Sequence, residues 1–323
     1  MPLDQASAMQ ELPNSNKDFP AFFDAYQEQI AEILKRPMLF VCGAPKSGTT
    51  WLQLSLNHHP EIHCGGEGHF SDWLGRPLHD LLRAYNAKMK QTNGFIYKDG
   101  DATYTEALRQ RDMQFILRTM IGMVILSADI KPTAKWIGDK TPLYTASLEY
   151  FKLVFPQAKF VTITRDVRDA CASTFHQAQR LYREGLNPNK REDPDQVVEP
   201  FVKNWVKVQD DCARYDKNHP GTMHQIRYED LHQNPEETMK TVLEFLEVDT
   251  SEEAVGKCVY GGSFERLSEG RKRGEENRDS FFRKGVVGDW VNTFEPRHIE
   301  LIHSVAGDHL ERRGYSLETP ASE

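Results

Sequence analysis

The sequence predicts a single α/β domain, a parallel β-sheet flanked by helices. Three observations predict it. Leu39-Phe40-Val41-Cys42 is a short apolar run that breaks into small residues from Gly43 to Gly48 and resumes as the helical stretch Trp51-Leu52-Gln53-Leu54-Ser55-Leu56. Further short apolar runs begin at 136, 159 and 223, and each leads into polar or helical sequence, as strands with crossover helices do. The chain has 323 residues, 39% hydrophobic and 27% charged, which suits one large soluble domain.

The composition also excludes. A net charge of −8 and a pI near 5.9 argue against a general nucleic-acid binder. Met1-Pro2-Leu3-Asp4-Gln5 does not open a signal peptide, and the most apolar run, 121–126, is too short to span a bilayer. Cys42, Cys64, Cys171, Cys212 and Cys258 are scattered and lack C-x-x-C spacing, so free thiols in a reducing, cytoplasmic setting are expected and a structural zinc is not.

Residues 1–36 read as an N-terminal extension, polar and mobile to residue 17 and then helical. Phe19, Phe22, Phe23, Tyr26, Ile30, Ile33 and Leu34 fall on one helical face, and Pro37 ends the helix. The domain itself is expected over 37–315, with a tail at 316–323.

Strand, loop and helix N-terminus at 39–56 make an anion site, because unpaired backbone N–H groups point outward there. The loop is P-loop-like, since Gly43 and Gly48 have the G-x-x-x-x-G spacing. Thr49, however, stands where a nucleoside-triphosphate loop has its Lys, and the lysine sits earlier, at Lys46. Pro45-Lys46-Ser47-Gly48-Thr49-Thr50-Trp51 resembles the 5′-phosphosulfate loop of sulfotransferases, whose donor is 3′-phosphoadenosine 5′-phosphosulfate (PAPS) and whose nucleotide product is PAP. The resemblance implies the sulfotransferase fold. It also implies that Lys46, Ser47, Gly48, Thr49, Thr50 and Trp51 contact the donor.

Pro60 stops the loop helix and a second strand is expected. Gly65-Gly66-Glu67-Gly68-His69-Phe70-Ser71-Asp72-Trp73 follows. It resembles the E-x-H-F-F-D-W segment of heparan sulfate 3-O-sulfotransferases, with Ser71 in place of the second Phe. That likeness implies Glu67 as catalytic base, with His69 and Asp72 lining the acceptor site. Residues 78–130 read as mostly helical, with a polar interruption at Tyr97-Lys98-Asp99-Gly100-Asp101 that would border the acceptor pocket.

Trp136-Ile137-Gly138 reads as a strand running into Asp139-Lys140-Thr141-Pro142-Leu143-Tyr144. This resembles the E-K-T-P-x-Y signature of carbohydrate sulfotransferases. Cytosolic phenol and steroid sulfotransferases read K-T-H-L-P there and use the His as base. Pro142 occupies that position here, which throws the role onto Glu67, with His69 as the nearby rival and catalytic candidate. A Lys at a strand's C-terminal end faces the ligand crevice of an α/β sheet, so Lys140 joins the catalytic candidates.

Lys159 to Thr164 reads as the next strand, leading into Arg165. Arg165, with Ser173 eight residues on, resembles the 3′-phosphate motif of the family; Arg grips phosphate bidentately and Ser adds a hydroxyl. Arg183 to Gln196 reads as a loop or lid, and Val197 to Tyr215 as a helix. Met223 to Leu231 resembles the last parallel strand, with Tyr228 approaching the adenine. Pro235 opens a helix through Leu246. Gly262-Ser263-Phe264 resembles the segment whose aromatic stacks near the adenine. Arg271-Lys272-Arg273 reads as solvated surface. Phe282-Arg283-Lys284-Gly285-Val286-Val287-Gly288-Asp289-Trp290-Val291-Asn292 resembles R-K-G-x-x-G-D-W-K-N of cytosolic sulfotransferases, implying that Arg283, Lys284 and the Gly285 amide bind the 3′-phosphate. Phe294-Glu295-Pro296 replaces the family's dimer motif, and Arg297 to Arg313 reads as a closing helix.

The resemblance implies in-line sulfuryl transfer from PAPS to a hydroxyl or amine of a small-molecule or carbohydrate acceptor, with no metal. Two other readings stay open on the residues alone. An ATP-dependent kinase predicts Lys at position 49. A non-catalytic PAP-binding protein predicts loss of Glu67, Lys46 or Lys140.

Overall fold

The apolar runs become five parallel strands. The computed structural model describes residues 19–96, 107–188 and 193–318. In it the strands are β1 (Met38–Cys42), β2 (Ile62–Gly66), β3 (Trp136–Lys140), β4 (Lys159–Thr164) and β5 (Met223–Arg227). Their order across the sheet is β2-β3-β1-β4-β5, which puts β1 at the centre. The helices are α1 (Phe19–Lys35), α2 (Thr49–Leu56), α3 (Arg76–Ile96), α4 (Gln110–Leu126), α5 (Leu148–Val154), α6 (Val167–Arg183), α7 (Asp195–Asn218), α8 (Tyr228–Gln233), α9 (Pro235–Phe245), α10 (Glu252–Gly261), α11 (Phe264–Leu267) and α12 (Pro296–Arg312).

Successive strand side chains point to opposite faces, and a parallel sheet must be covered on both. In β1, Met38, Phe40 and Cys42 enter one core while Leu39 and Val41 enter the other. The first core takes Leu117 of α4, Phe151 of α5, Phe175 of α6, Trp205 of α7 and Ile302 of α12. The second takes Leu52 and Leu56 of α2, Met239 and Val242 of α9, and Cys258 of α10. The amphipathic α1 packs on α4, burying Ile30 and Ile33.

Register brings the strand ends to one edge. Val41 pairs with Lys140 on one side and Val161 on the other, Gly66 pairs with Lys140, and Thr164 with Arg227. The loops leaving all five C-termini therefore open on one crevice, where α/β sheets bind their ligands.

Two boundaries differ from the sequence reading. The last strand stops at Arg227, and Tyr228 begins α8 instead of extending β5. Helix α6 runs on to Arg183 and α7 starts at Asp195, which shortens the expected loop from both ends. The expectations for residues 1–17 and for 97–101 lie outside the described residues. Among the described residues, no helix is long and apolar enough to cross a membrane.

Candidate active site

Helix α2 begins directly after the loop that leaves β1. Gly48 is its N-cap, left-handed at φ 101, and a Cβ there would lie 2.8 Å from the Tyr228 ring. Only glycine satisfies both constraints. The first-turn amides of α2 lack intrahelical acceptors and face an incoming anion. Lys46 is also left-handed, at φ 65, and its ammonium sits 4.4 Å from the centre of the Phe281 ring. Burial, then Arg180 and Arg165, lower the Lys46 pKa to about 8, against a smaller opposing pull from Glu67.

One cleft of about 1270 Å³, counted out to its open mouth, collects most of the predicted site. Lys46, Gly48, Thr49, Thr50, Trp51, Glu67, Arg165, Ser173, Tyr228, Phe264, Arg283, Lys284 and Gly285 all line it. Ser47, Lys140 and His69 do not. The Ser47 hydroxyl is buried under the loop, while Lys140 reaches the cleft through Glu67 and Thr50, and His69 through Glu67.

At the corner expected to take the 3′-phosphate, the Arg165 guanidinium lies 4.2 Å over the Tyr228 ring and donates through Nη2 to the Val286 carbonyl at 3.1 Å. The Asp169 carboxylate accepts the amides of Gly288 (2.7 Å) and Trp290 (3.1 Å), tying the 285–290 loop to α6. A Cβ on Gly285 would lie 2.4 Å from the Phe264 ring, so this glycine lets the loop close on the aromatic wall. Arg283 and Lys284, expected to bind the 3′-phosphate, already have acidic partners. Arg283 pairs with both Glu276 and Asp289, and Lys284 donates to Asp289 at 2.6 Å. Burial would raise the Asp289 carboxyl, but Lys284 and Arg283 together hold it below the usual range. Asp289 thus keeps the two cations side by side.

Trp51, Tyr228 and Phe264, the aromatic residues expected near the adenine, line one wall of the cleft. The Trp51 indole donates to the Gly262 carbonyl at 2.6 Å and meets Tyr228 edge-on, with ring centres 5.1 Å apart. In the basic cluster at 271–273, Lys272 and Arg273 are exposed as expected, but Arg271 is half-buried. Arg271 donates to the carbonyls of Ser268, Glu275, Phe282 and Arg283 and to the Ser280 hydroxyl, folding that segment over the cleft. Arg273 lines the cleft itself.

At the other end, Lys140 Nζ donates to Glu67 Oε1 at 2.5 Å and to Thr50 Oγ1 at 3.1 Å, bridging the anion loop to the carboxylate. His69 Nε2 lies 3.6 Å from Glu67 Oε2, and Nδ1 lies 3.0 Å from Asp72 Oδ2. The Trp73 ring stacks on the imidazole, with centres 3.9 Å apart.

The cleft suits PAPS on observations of its own. Among the described residues, Arg165 Nε, on a side chain that lines the cleft, is a buried polar atom without a partner and belongs to a predicted phosphate contact. A phosphate oxygen is the acceptor it lacks. Sequence reasoning missed Asp169, Asp289 and Phe281. Asp169 carries a readable signal, four residues after Arg165 across a helix start; Phe281 has none.

A model of the sulfotransferase family matches residues 37–252. The chain belongs to the sulfotransferase family. Its donor is PAPS and its nucleotide product PAP, so the ATP-dependent kinase reading is set aside. This sulfotransferase is 26% identical to protein-tyrosine sulfotransferase 1 of Danio rerio over 295 residues, covering 86% of this chain and 72% of that one. It is 30% identical to sulfotransferase 6B1 of Danio rerio over 166 residues, 48% of this chain and 54% of that one. The fold is similar to that of mouse sulfotransferase SULT7A1, solved with PAP, at a TM-score of 0.55 and 18% identity over 90% of this chain and 91% of that one.

Proposed function

We propose that this sulfotransferase transfers the sulfuryl group of PAPS to an acceptor hydroxyl with Glu67 as general base. The observation that carries the reading is the Glu67 carboxylate, which lines the donor cleft while bound to Lys140 at 2.5 Å. PAPS supplies the sulfuryl group and its leaving phosphate. Lys46 and the amides of Gly48, Thr49 and Thr50 stabilise the charge that grows on that phosphate as its bond to sulfur breaks. Lys140 holds Glu67 and Thr50 in one frame, so that attacking and leaving oxygens line up. Glu67 takes the acceptor's proton as the new O–S bond forms. His69, backed by Asp72, orients the second carboxylate oxygen.

A tyrosyl hydroxyl is the acceptor we favour, because relatives matched over most of the chain are named for protein tyrosine. Trp73, 66% exposed and stacked on His69, offers a platform beside Glu67 for an aromatic ring. The same platform suits a sugar face, and the likeness of Glu67 to Trp73 to the heparan sulfate enzymes supports that second reading. Radiolabelled PAPS offered with a tyrosine peptide, a simple phenol and an oligosaccharide tests the choice. Label on the peptide is the expected result; label only on the oligosaccharide replaces the tyrosyl reading with the sugar one. A cytoplasmic setting is proposed with it, to be checked by cell fractionation.

A further inference from the structure

Glu67 and His69 both adopt left-handed backbone, at φ 24 and 47, without glycine's freedom. Such conformations persist only where their surroundings impose them. The surroundings here centre on Asp139, a carboxylate at the end of β3 that is 4% exposed and lines no part of the cleft. Its Oδ2 accepts the Gly68 amide at 2.9 Å. Its Oδ1 accepts the hydroxyls of Thr141 at 2.9 Å and Tyr144 at 2.6 Å. Those hydroxyl oxygens accept the next two amides, His69 N–H on Thr141 Oγ1 at 3.4 Å and Phe70 N–H on the Tyr144 oxygen at 3.1 Å. The Glu67 amide donates to the Lys140 carbonyl at 3.3 Å. Four consecutive amides, 67–70, are thus fastened to one short stretch of β3 and its continuation. The fit leaves no slack, since a Cβ on Gly68 would stand 3.0 Å from Asp139 Oδ2.

We infer that Asp139 is the positioning residue for the base: its buried carboxylate, through Gly68, Thr141 and Tyr144, sets where the Glu67 carboxylate stands relative to donor and acceptor. This rests on the reading of Glu67 as base. Nothing in the arrangement brings Asp139 to substrate, so it acts only through the Glu67 loop.

A double-mutant cycle on the full chain tests it. Turnover is read with radiolabelled PAPS and the tyrosine peptide, or the oligosaccharide if that is the acceptor labelled above, and PAP affinity by calorimetry. Asp139→Ala is expected to lower kcat about 10²-fold, the scale of a misplacement near 1 Å, while the KM for PAPS and the Kd for PAP stay within about twofold. In a Glu67→Gln background the same change is expected to cost less than about twofold, because no base remains to misplace. Asp139→Asn is expected to recover most of kcat, since its Oδ1 still accepts the Gly68 amide while Nδ2 donates to the two hydroxyl oxygens. Should Asp139→Ala fail to fold, Tyr144→Phe keeps the ring and removes one hydroxyl, and the cycle is run with it at about a tenfold expected effect. A loss that multiplies in full on Glu67→Gln, or a matching fall in PAP affinity, overturns the positioning role alone. Near-normal turnover of Glu67→Gln by itself overturns the base reading, and this inference with it.

Discussion

At the donor end of the cleft, charges from separate elements meet: Lys46 before α2, Arg165 before α6, and Arg283 and Lys284 on the loop ahead of α12. Carboxylates already hold three of them in place, Asp169 pairing with Arg165 at 3.6 Å and Asp289 with Arg283 and Lys284. At the proposed acceptor end, a single short loop carries Glu67 and His69 in strained backbone and hangs from one stretch of β3. The contrast implies that binding and chemistry are separable here. Binding is spread over many contacts, so no one of them decides it. On the proposed mechanism, chemistry depends on one carboxylate, whose loop is fastened to one stretch of β3.

The largest break in that contrast comes from Glu67→Gln, which keeps shape and removes the proton acceptor. Turnover should fall by about 10²–10⁴ while PAP affinity holds. His69→Ala should cost less. Were Glu67→Gln near normal and His69→Ala inactive with PAP still bound, the base would be the histidine.

Lys46→Ala should come next, because this donor-loop residue acts on the leaving phosphate. A fall of about 10²–10³ in kcat is expected, with little change in melting temperature. An unchanged rate with a lowered melting temperature would make the lysine structural and return the loop to pure binding.

Arg165→Ala probes the distributed end. PAP affinity should fall about 10–100-fold, the scale of charge-assisted hydrogen bonds, and AMP affinity far less. Calorimetry with both nucleotides decides it; an equal loss for AMP would take Arg165 away from the 3′-phosphate.

Lys46 also sets a pH limb. Its folded pKa of about 8 lies below the ordinary lysine value, so the ammonium is present below pH 8 and lost as pH rises through it. kcat/KM, which reports the free enzyme, should decline by about tenfold one pH unit above that point. Lys46→Arg stays charged and should carry the limb upward. A limb that does not move would belong to another group.

The smallest effect is expected at the adenine wall. Trp51→Phe keeps a ring but loses the indole bond to Gly262, and PAP affinity should fall severalfold. A loss as large as that of Arg165→Ala would show the donor end to be less evenly shared than its contacts suggest.

Much of the donor end was legible in the residues because its parts are local. Lys46 to Trp51 are contiguous, and Arg165 and Ser173 are two turns apart on one helix start. Arg283 and Lys284 were legible as cations but not as partners of Asp289, because adjacency in a motif says nothing of which side chains turn toward each other. The cluster 271–273 read as surface, since charge alone does not reveal that Arg271 would satisfy four carbonyls. Asp139 was visible only as the first letter of a motif; its hold on Gly68 spans 71 residues.

The sequence by itself determined the strand runs, the anion loop and the residue types at each corner, because hydrophobic period, turn chemistry and helix starts act over a few residues. The parallel register and the order β2-β3-β1-β4-β5 decided the rest. Lys140 meets Glu67 across 73 residues only because β3 lies beside β2 with their ends level. Charges act through space, at a strength set by separation and burial, and those distances exist only once the sheet has formed.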